Sequence, residues 1–382
     1  MYKIFLSHSS NDKSYVEIVA KKLKKYNLVY DSWTFDAGEK TIDEIYKSIE
    51  ETGLFVLFIS ESSLKSAWVK REIFKAKSYI KNGKIKRFYP IIISKTITYD
   101  HEDIPKWIKE EYNLHYISKP VLCSRKIEQK YREVVWELKP NIKHIDSIFV
   151  GRTEEISILE QRLADFNKKT TCIIASGLKS IGRRKFLYHS LKKNYIMRET
   201  YQPYVISLDE RQSIEDLILS LYNCAYTDIQ ESLIENLIVN SIDEKINILL
   251  EIFNELYEQK EIVVIEDNHC IVQRDSSIVP WFNTFVERCD LDKLVLCLLS
   301  EQMVRYSKDN SDKIFHIKIP PLNKQDRALL LNAVLSHNKM ELTSTNKTYL
   351  LEVFTGYPEQ IFFTINLGSR LVSFIFQKKF FL

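Results

Sequence analysis

Glycine is unusually scarce in this 382-residue chain: eight positions, roughly 2% where about 7% is ordinary. That excludes a collagen-like or glycine-linker protein and implies that the few glycines stand where the backbone requires them. Proline is missing before Pro90, so nothing punctuates the early helices and strands. The six cysteines (Cys123, Cys172, Cys224, Cys270, Cys289, Cys297) never form a C-x-x-C pair. Their scatter argues for reduced thiols and a cytoplasmic location, against a disulfide framework. Long apolar runs are lacking too. FVLFI and LVLCLL fall far short of the roughly 20 residues of a membrane helix. The opening MYKIFLSHSSNDK has no cleavage-type tail, so it does not read as a signal peptide. No membrane association is expected.

What is present is an ordinary globular composition, 45% hydrophobic and 28% charged, with mean hydropathy −0.22. At about 150 residues per domain, two domains are expected. Charge is uneven: residues 1–140 carry 26 basic and 19 acidic side chains, the remainder 29 and 32. The clusters Lys21–Lys25 and Lys81–Arg87 fall on a helix and a turn, where a solvated face is the usual explanation, and an unspecific nucleic-acid contact stays open as the alternative.

KIFLS, NLVYD, LFVLFIS, FYPIII and LHYI read as buried strands. DKSYVEIVAKKLKKY, TIDEIYKSIEE, SLKSAWVKREIFKAKSYI and RKIEQKYREVVWEL read as helices between them. Thr41 with Glu44 forms a capping-box pattern, Gly53 ends the second helix, and Asn82-Gly83 marks the turn after the third. This alternation predicts an α/β fold with a flavodoxin-like parallel sheet over residues 1–140. Pro140 and the polar NIKHIDS supply a linker, 141–148. A second α/β domain is expected over 149–320, with strands TCIIAS, YVISL, EIVVIED, KLVLCLLS and FHIKI. A helical part follows over 321–382, ending in the apolar LVSFIFQKKFFL, a buried or partner-facing helix.

In a parallel sheet, ligands bind beyond the carboxyl ends of the strands. Three loops converge there: Ser7-His8-Ser9-Ser10, the loop with Trp33, Phe35, Ala37 and Gly38, and the segment from Ser60 through Ser66 to Trp68 and Glu72. Trp68 and Glu72, four apart, share a helix face. With KIFLSHSSNDK, YDSWTFDAGEKTIDEI, LFVLFISESSLKSAW, W-x-x-x-E and FYPIII in this order, the segment up to about residue 138 resembles the TIR domain family. In enzymatic members the glutamate of W-x-x-x-E is essential for cleaving the nicotinamide–ribose bond of NAD⁺, which the resemblance places on Glu72. Nicotinamide leaves as a neutral molecule, so no general acid and no metal are needed. A carboxylate beside an oxocarbenium-like ribose suffices. By position, Ser7, His8, Trp33, Phe35, Gly38 and Trp68 are the candidate substrate-binding residues. The resemblance also implies self-association, with the loop after the second strand at the contact.

The stretch FVGRTEEISILEQRL, then Gly177-Leu-Lys-Ser-Ile-Gly182 after CIIAS, the strand ending in Glu266-Asp267, IPPLNKQDRALLL and TGYPEQ together resemble AAA-type and STAND-type P-loop NTPases. Gly151, Gly177, Gly182 and Gly356 fall on these landmarks. The motif G-x-x-x-x-G-K-[ST] is degenerate, since Arg183 and Arg184 replace the phosphate-binding lysine and the Mg²⁺-binding hydroxyl. Glu301 stands where the family usually has a phosphate-sensing arginine. ATP hydrolysis is therefore not expected. ATP or ADP binding and a purely oligomerising role stay open. The resemblances together imply an NAD⁺ glycohydrolase of antiphage defence. It would be activated when the second domain assembles on a separate sensor subunit or a phage-derived trigger. A non-enzymatic TIR scaffold is the alternative.

Overall fold

The computed structural model describes residues 3–30, 41–138, 148–165, 167–194, 196–225, 231–291, 294–305, 311–365 and 367. The chain divides into two compact units: Met1–Pro140 with Tyr222–Glu231, and Asn141–Leu221 with Ser232–Leu382.

In the first unit, β1 (Lys3–Ser7), β2 (Leu28–Val29), β3 (Thr52–Ile59) and β4 (Arg87–Ile92) form a parallel sheet in the order β2-β1-β3-β4. All eight residues of β3 are buried, because a central parallel strand is covered on both faces and cannot alternate. Phe55, Leu57 and Ile59 join Ile45, Ile49, Val69 and Ile73 in one core. On the opposite face Phe58 meets Tyr15 of helix Lys13–Lys22, with ring centroids 6.2 Å apart. Register aligns Phe5 with Phe55 and Phe55 with Phe88, giving stacked rings at 5.1 and 5.7 Å across three strands.

Two sequence expectations are corrected here, and one short helix is added. LHYI is not a fifth strand: Tyr116 makes one parallel bridge to Ile92, held by Ile92 N–H to His115 O (3.0 Å) and Ile117 N–H to Ile92 O (2.9 Å). His115 and Tyr116 are exposed, and Pro120 opens the next helix, leaving too little chain for a paired strand. The helix expected over Ser63–Ile80 is two helices, Glu61–Lys65 and Ala67–Lys81. Ser66 breaks them with an extended backbone, and its Oγ accepts the Val69 amide at 3.3 Å. Helix Lys106–Glu111 is unanticipated, being too short to show a period. The side chains of Thr41 and Glu44 lie outside the described residues.

In the second unit β5 (Cys172–Ser176), β6 (Tyr204–Asp209), β7 (Val263–Asn268), β8 (Leu296–Ser300) and β9 (Ile314–Lys318) form a parallel sheet in the order β6-β7-β8-β5-β9. These are the five strands read from the sequence. β5 and β8 are buried throughout, whereas edge strand β6 alternates buried and exposed positions. Helices Lys324–His337 and Ser344–Val353 follow the sheet. A separate core of Leu330, Leu331, Val334, Leu335, Phe354, Ile361 and Ile365 holds this helical part together. Gly356 (φ +101°) makes its turn possible: a Cβ there would lie 2.6 Å from Leu322 O, and the Gly356 carbonyl accepts the Leu322 amide at 2.8 Å. The C-terminal LVSFIFQKKFFL and the linker 141–147 lie outside the described residues.

Candidate functional site

The strand order of the first sheet reverses between β1 and β3, so a crevice is expected at their carboxyl ends. Ser7 is the last residue of β1, and its hydroxyl donates to Glu72 Oε2 at 2.5 Å. Both are buried, Ser7 at 1% and Glu72 at 6% exposure. Glu72 reaches this position because Ser66 starts its helix where β3's return loop ends, which turns the 68/72 face toward β1. Ser66→Ala should cost about 1 kcal/mol through the lost cap; a urea melt of the whole chain checks it, and a change below a few tenths would remove the cap's importance.

His8 is half-buried, stacks on Tyr30 (5.1 Å, 15°) and pairs through Nδ1 with Leu6 O at 3.0 Å. A cavity of about 20 Å³ is lined by Phe5, Leu6, His8, Val29, Ile45, Trp68 and Glu72. Trp68 is 37% exposed at its rim. The structure thus brings together Ser7, His8, Trp68 and Glu72. Trp33, Phe35, Ala37 and Gly38 lie outside the described residues. The other loop hydroxyls are structural. Ser9 caps the turn Ser10–Asp12. Ser60 forms a capping box with Ser63 and donates to Asp12 at 2.6 Å. Tyr30, which stacks on the His8 ring from the end of the neighbouring strand β2, was not singled out from sequence, because nothing local signals a stacking partner 22 residues away in the chain.

The second sheet has its own crevice. Gly177 follows β5, its amide donating to Ser300 O at 3.1 Å, and the loop runs through Ser180 (φ +64°) to Gly182 at the start of helix Arg183–Lys193. A Cβ on Gly177 would lie 2.8 Å from Ile319 O, so the close approach of two strands demands glycine. The loop is braced from below by Arg152, 6% exposed, whose guanidinium donates to the carbonyls of Ile181 and Gly182. Sequence reading placed Arg152 in a motif but gave it no role. Both arginines that replace the lysine and hydroxyl are ion-paired: Arg183 to Glu301 at 3.7 Å and Arg184 to Glu266. Glu301 therefore opposes Arg183.

Asp267 acts on Arg183 of the candidate nucleotide site through its charge, but its carboxylate oxygens are taken up by a turn. It is 1% exposed and accepts the amides of Cys270 (3.0 Å), Ile271 (2.7 Å) and Val272 (3.0 Å), closing the turn after β7. Burial raises its pKa; the three amides pull the other way without prevailing. Among the described residues no group of three or more His, Cys, Asp or Glu is placed to hold a metal ion, and no helix is long and apolar enough to cross a membrane. A cavity of about 460 Å³ beside Ser180 is lined by Thr355, Tyr357, Glu359, Gln360 and Phe363.

His316 on β9 pairs with Ser176, the buried last residue of β5, at 2.9 Å, and burial lowers its pKa. The unfolded chain takes up this proton first as pH falls. The histidine's contribution is therefore complete above the ordinary value of 6.5 and is lost as pH drops through the folded pKa. The Tm should fall between about pH 7.5 and about pH 5.5, and His316→Gln should narrow that fall; an unchanged difference would contradict it.

With this geometry in place, a family model described as "TIR domain" matches residues 4–119. Residues 4–119 form a TIR domain. None of the curated proteins matches the chain in sequence. Solved structures similar to parts of the chain include a TIR domain of a Toll-related receptor from Hydra magnipapillata (11% identity, 35% of this chain, 99% of that one, TM-score 0.27). A STAND protein with a tetratricopeptide repeat sensor from Pyrococcus horikoshii shows 13% identity over 56% of this chain and 29% of its own, with TM-score 0.36. DnaA from Aquifex aeolicus, bound to AMPPCP, shows 17% identity over 58% and 62%, with TM-score 0.35. The chain thus spans less than a third of the STAND protein's length. At 11–17% identity none of these assigns a role to any residue of this chain.

Proposed function

We propose that the TIR domain cleaves the nicotinamide–ribose bond of NAD⁺, with Glu72 as the catalytic carboxylate. The observation that carries this is the pairing of Glu72 with Ser7 at 2.5 Å, buried, at the carboxyl end of β1 beside His8 and Trp68. In the proposed step the C1′–N bond breaks and its electron pair neutralises the pyridinium, so nicotinamide departs without a proton. The ribose carbon is left cationic, and the fixed carboxylate stabilises it. Water then adds and releases a proton, giving ADP-ribose; attack by the adenine instead gives a cyclic product. Trp68 offers a ring face to the substrate, and Ser7 keeps the carboxylate aimed. No metal enters this scheme.

The test is a time course of NAD⁺ with purified protein, at low concentration and under forced self-association, with products separated chromatographically. Nicotinamide release supports the reading, and its dependence on concentration tests activation by assembly. Among the described residues the cavity measures about 20 Å³, room for a water and not for a nucleotide. This favours, as the second reading, a TIR scaffold that signals by oligomerisation; intact NAD⁺ in assembled protein would select it.

The second unit is proposed to serve assembly and not ATP turnover, since ion pairs neutralise the two arginines facing its loop and Asp267 is committed to a turn. ATP or ADP, if taken up, would be held without hydrolysis. A cytoplasmic antiphage role, triggered through a separate sensor or a phage product, completes the proposal.

A further inference from the structure

We infer that the second unit carries a binding cleft for the sugar–phosphate backbone of nucleic acid at the amino ends of β5 and β9, a full strand length from the glycine loop. A cavity of about 950 Å³ lies there, far larger than a single phosphate needs. Five cations line it, Arg162, Lys168, Lys169, Arg288 and Lys313, against two carboxylates, Glu287 and Asp312. The cations come from three separate segments of the chain, which no single charged helix face accounts for.

Two of these cations take their hydrogen bonds from neutral partners, and Lys313 shares the Asp290 carboxylate's field with Lys169. Arg162 donates to Thr170 Oγ1 at 2.8 Å and to Asp312 O at 2.5 Å. Lys313 donates to the carbonyls of Glu287 and Cys289. Lys169 and Arg288 pair with Asp290 and Asp243 (2.6 Å each), exposed contacts that a stronger anion displaces. Lys168 is exposed and has no carboxylate partner among the described residues. Arg162 and Arg288 sit in the last turns of helices Thr153–Ala164 and Pro280–Arg288, where the dipole favours cations. Lys168 and Lys169 lie outside any helix, so that explanation does not reach them.

The remaining lining is Asn167, Asn283, Thr284 and Ser311, neutral groups suited to phosphate oxygens. No lining residue is aromatic, so the cleft offers no platform for stacked bases. Cations without stacking rings read a backbone and not a sequence.

The test uses the full chain and a fluorescein-labelled 20-base-pair DNA duplex of mixed sequence in fluorescence anisotropy. Binding is expected, with affinity falling as salt rises along a log–log slope of about −3. Lys168→Glu with Lys169→Glu should weaken it about tenfold or more and flatten the slope, and the double change to Gln should weaken it less. The same reversal at Lys21 and Lys24, in the first unit, should change it by less than about threefold. Glu72-dependent NAD⁺ cleavage plays no part in the readout, so failure of either idea leaves the other standing. Absence of binding overturns the inference. So does equal loss from the Lys21/Lys24 reversal, unchanged affinity in both Lys168/Lys169 variants, or displacement of DNA by inorganic polyphosphate at a lower phosphate concentration than by unlabelled DNA.

Discussion

Glu72→Gln is expected to reduce nicotinamide release from NAD⁺ by about a hundredfold to a thousandfold, the loss typical when one pre-oriented electrostatic stabiliser is removed. Glutamine keeps the shape and nearly the helix propensity of glutamate. Its amide oxygen still accepts the Ser7 hydroxyl, so the contact that joins β1 to helix Ala67–Lys81 survives. What disappears is the charge facing the cationic ribose. The folded state should therefore melt within a few degrees of wild type while turnover collapses. Ser7→Ala makes the complementary change: the charge stays and its anchor goes, so a loss of about tenfold, mostly in kcat, is expected. Turnover by Glu72→Gln within about twofold of wild type would remove Glu72 from the chemistry. Equal damage to stability and turnover in both variants would make the pair a packing device.

Much of this site is legible in the sequence alone. The 68/72 spacing put Trp68 and Glu72 on one helical face, and uninterrupted apolar runs such as LFVLFI announced β3 and its neighbours. A strand end and a helix face are local periodic properties, which is why Ser7 and Glu72 were both found. Their mutual distance was not local and came only from the sheet order. Ser66 shows the opposite limit. Its neighbours on both sides are good helix formers, and the break depends on whether its hydroxyl takes the Val69 amide, a choice made by tertiary packing. LHYI failed for a related reason: four suitable residues make a strand only if a partner edge and a second covered face exist, and there His115 and Tyr116 face solvent. In the second unit the five strands were readable, whereas the side-chain partners were not. No pattern signals that Arg183 meets Glu301 or that Arg152 reaches under the glycine loop.

Asp267 gives the clearest divergence between motif and structure, and the largest expected effect on stability. By position it belongs beside Glu266 at the end of β7, where a carboxylate pair would hold a metal. Instead its two oxygens terminate three amides of a turn whose residues Ile271 and Val272 are wholly buried. Asp267→Ala strands all three donors away from water. At about 1–3 kcal/mol for each unsatisfied buried group, with some relaxation of the turn, a loss of about 3–5 kcal/mol follows. That is a large share of the roughly 5–15 kcal/mol by which a domain is stable. Asp267→Asn should fall between. Its Oδ1 still accepts Cys270 and Ile271, but its amide nitrogen faces the Val272 N–H, donor against donor, at a cost of about 1–3 kcal/mol. Glu266→Ala, one residue earlier, removes only an exposed pair with Arg184 and should cost less than about 1 kcal/mol. Urea melts of the three variants read this order directly. A metal-ligand role predicts the reverse: Asp267→Asn would fold as well as wild type, and Glu266 and Asp267 variants would both lose a Mg²⁺-dependent rise in Tm.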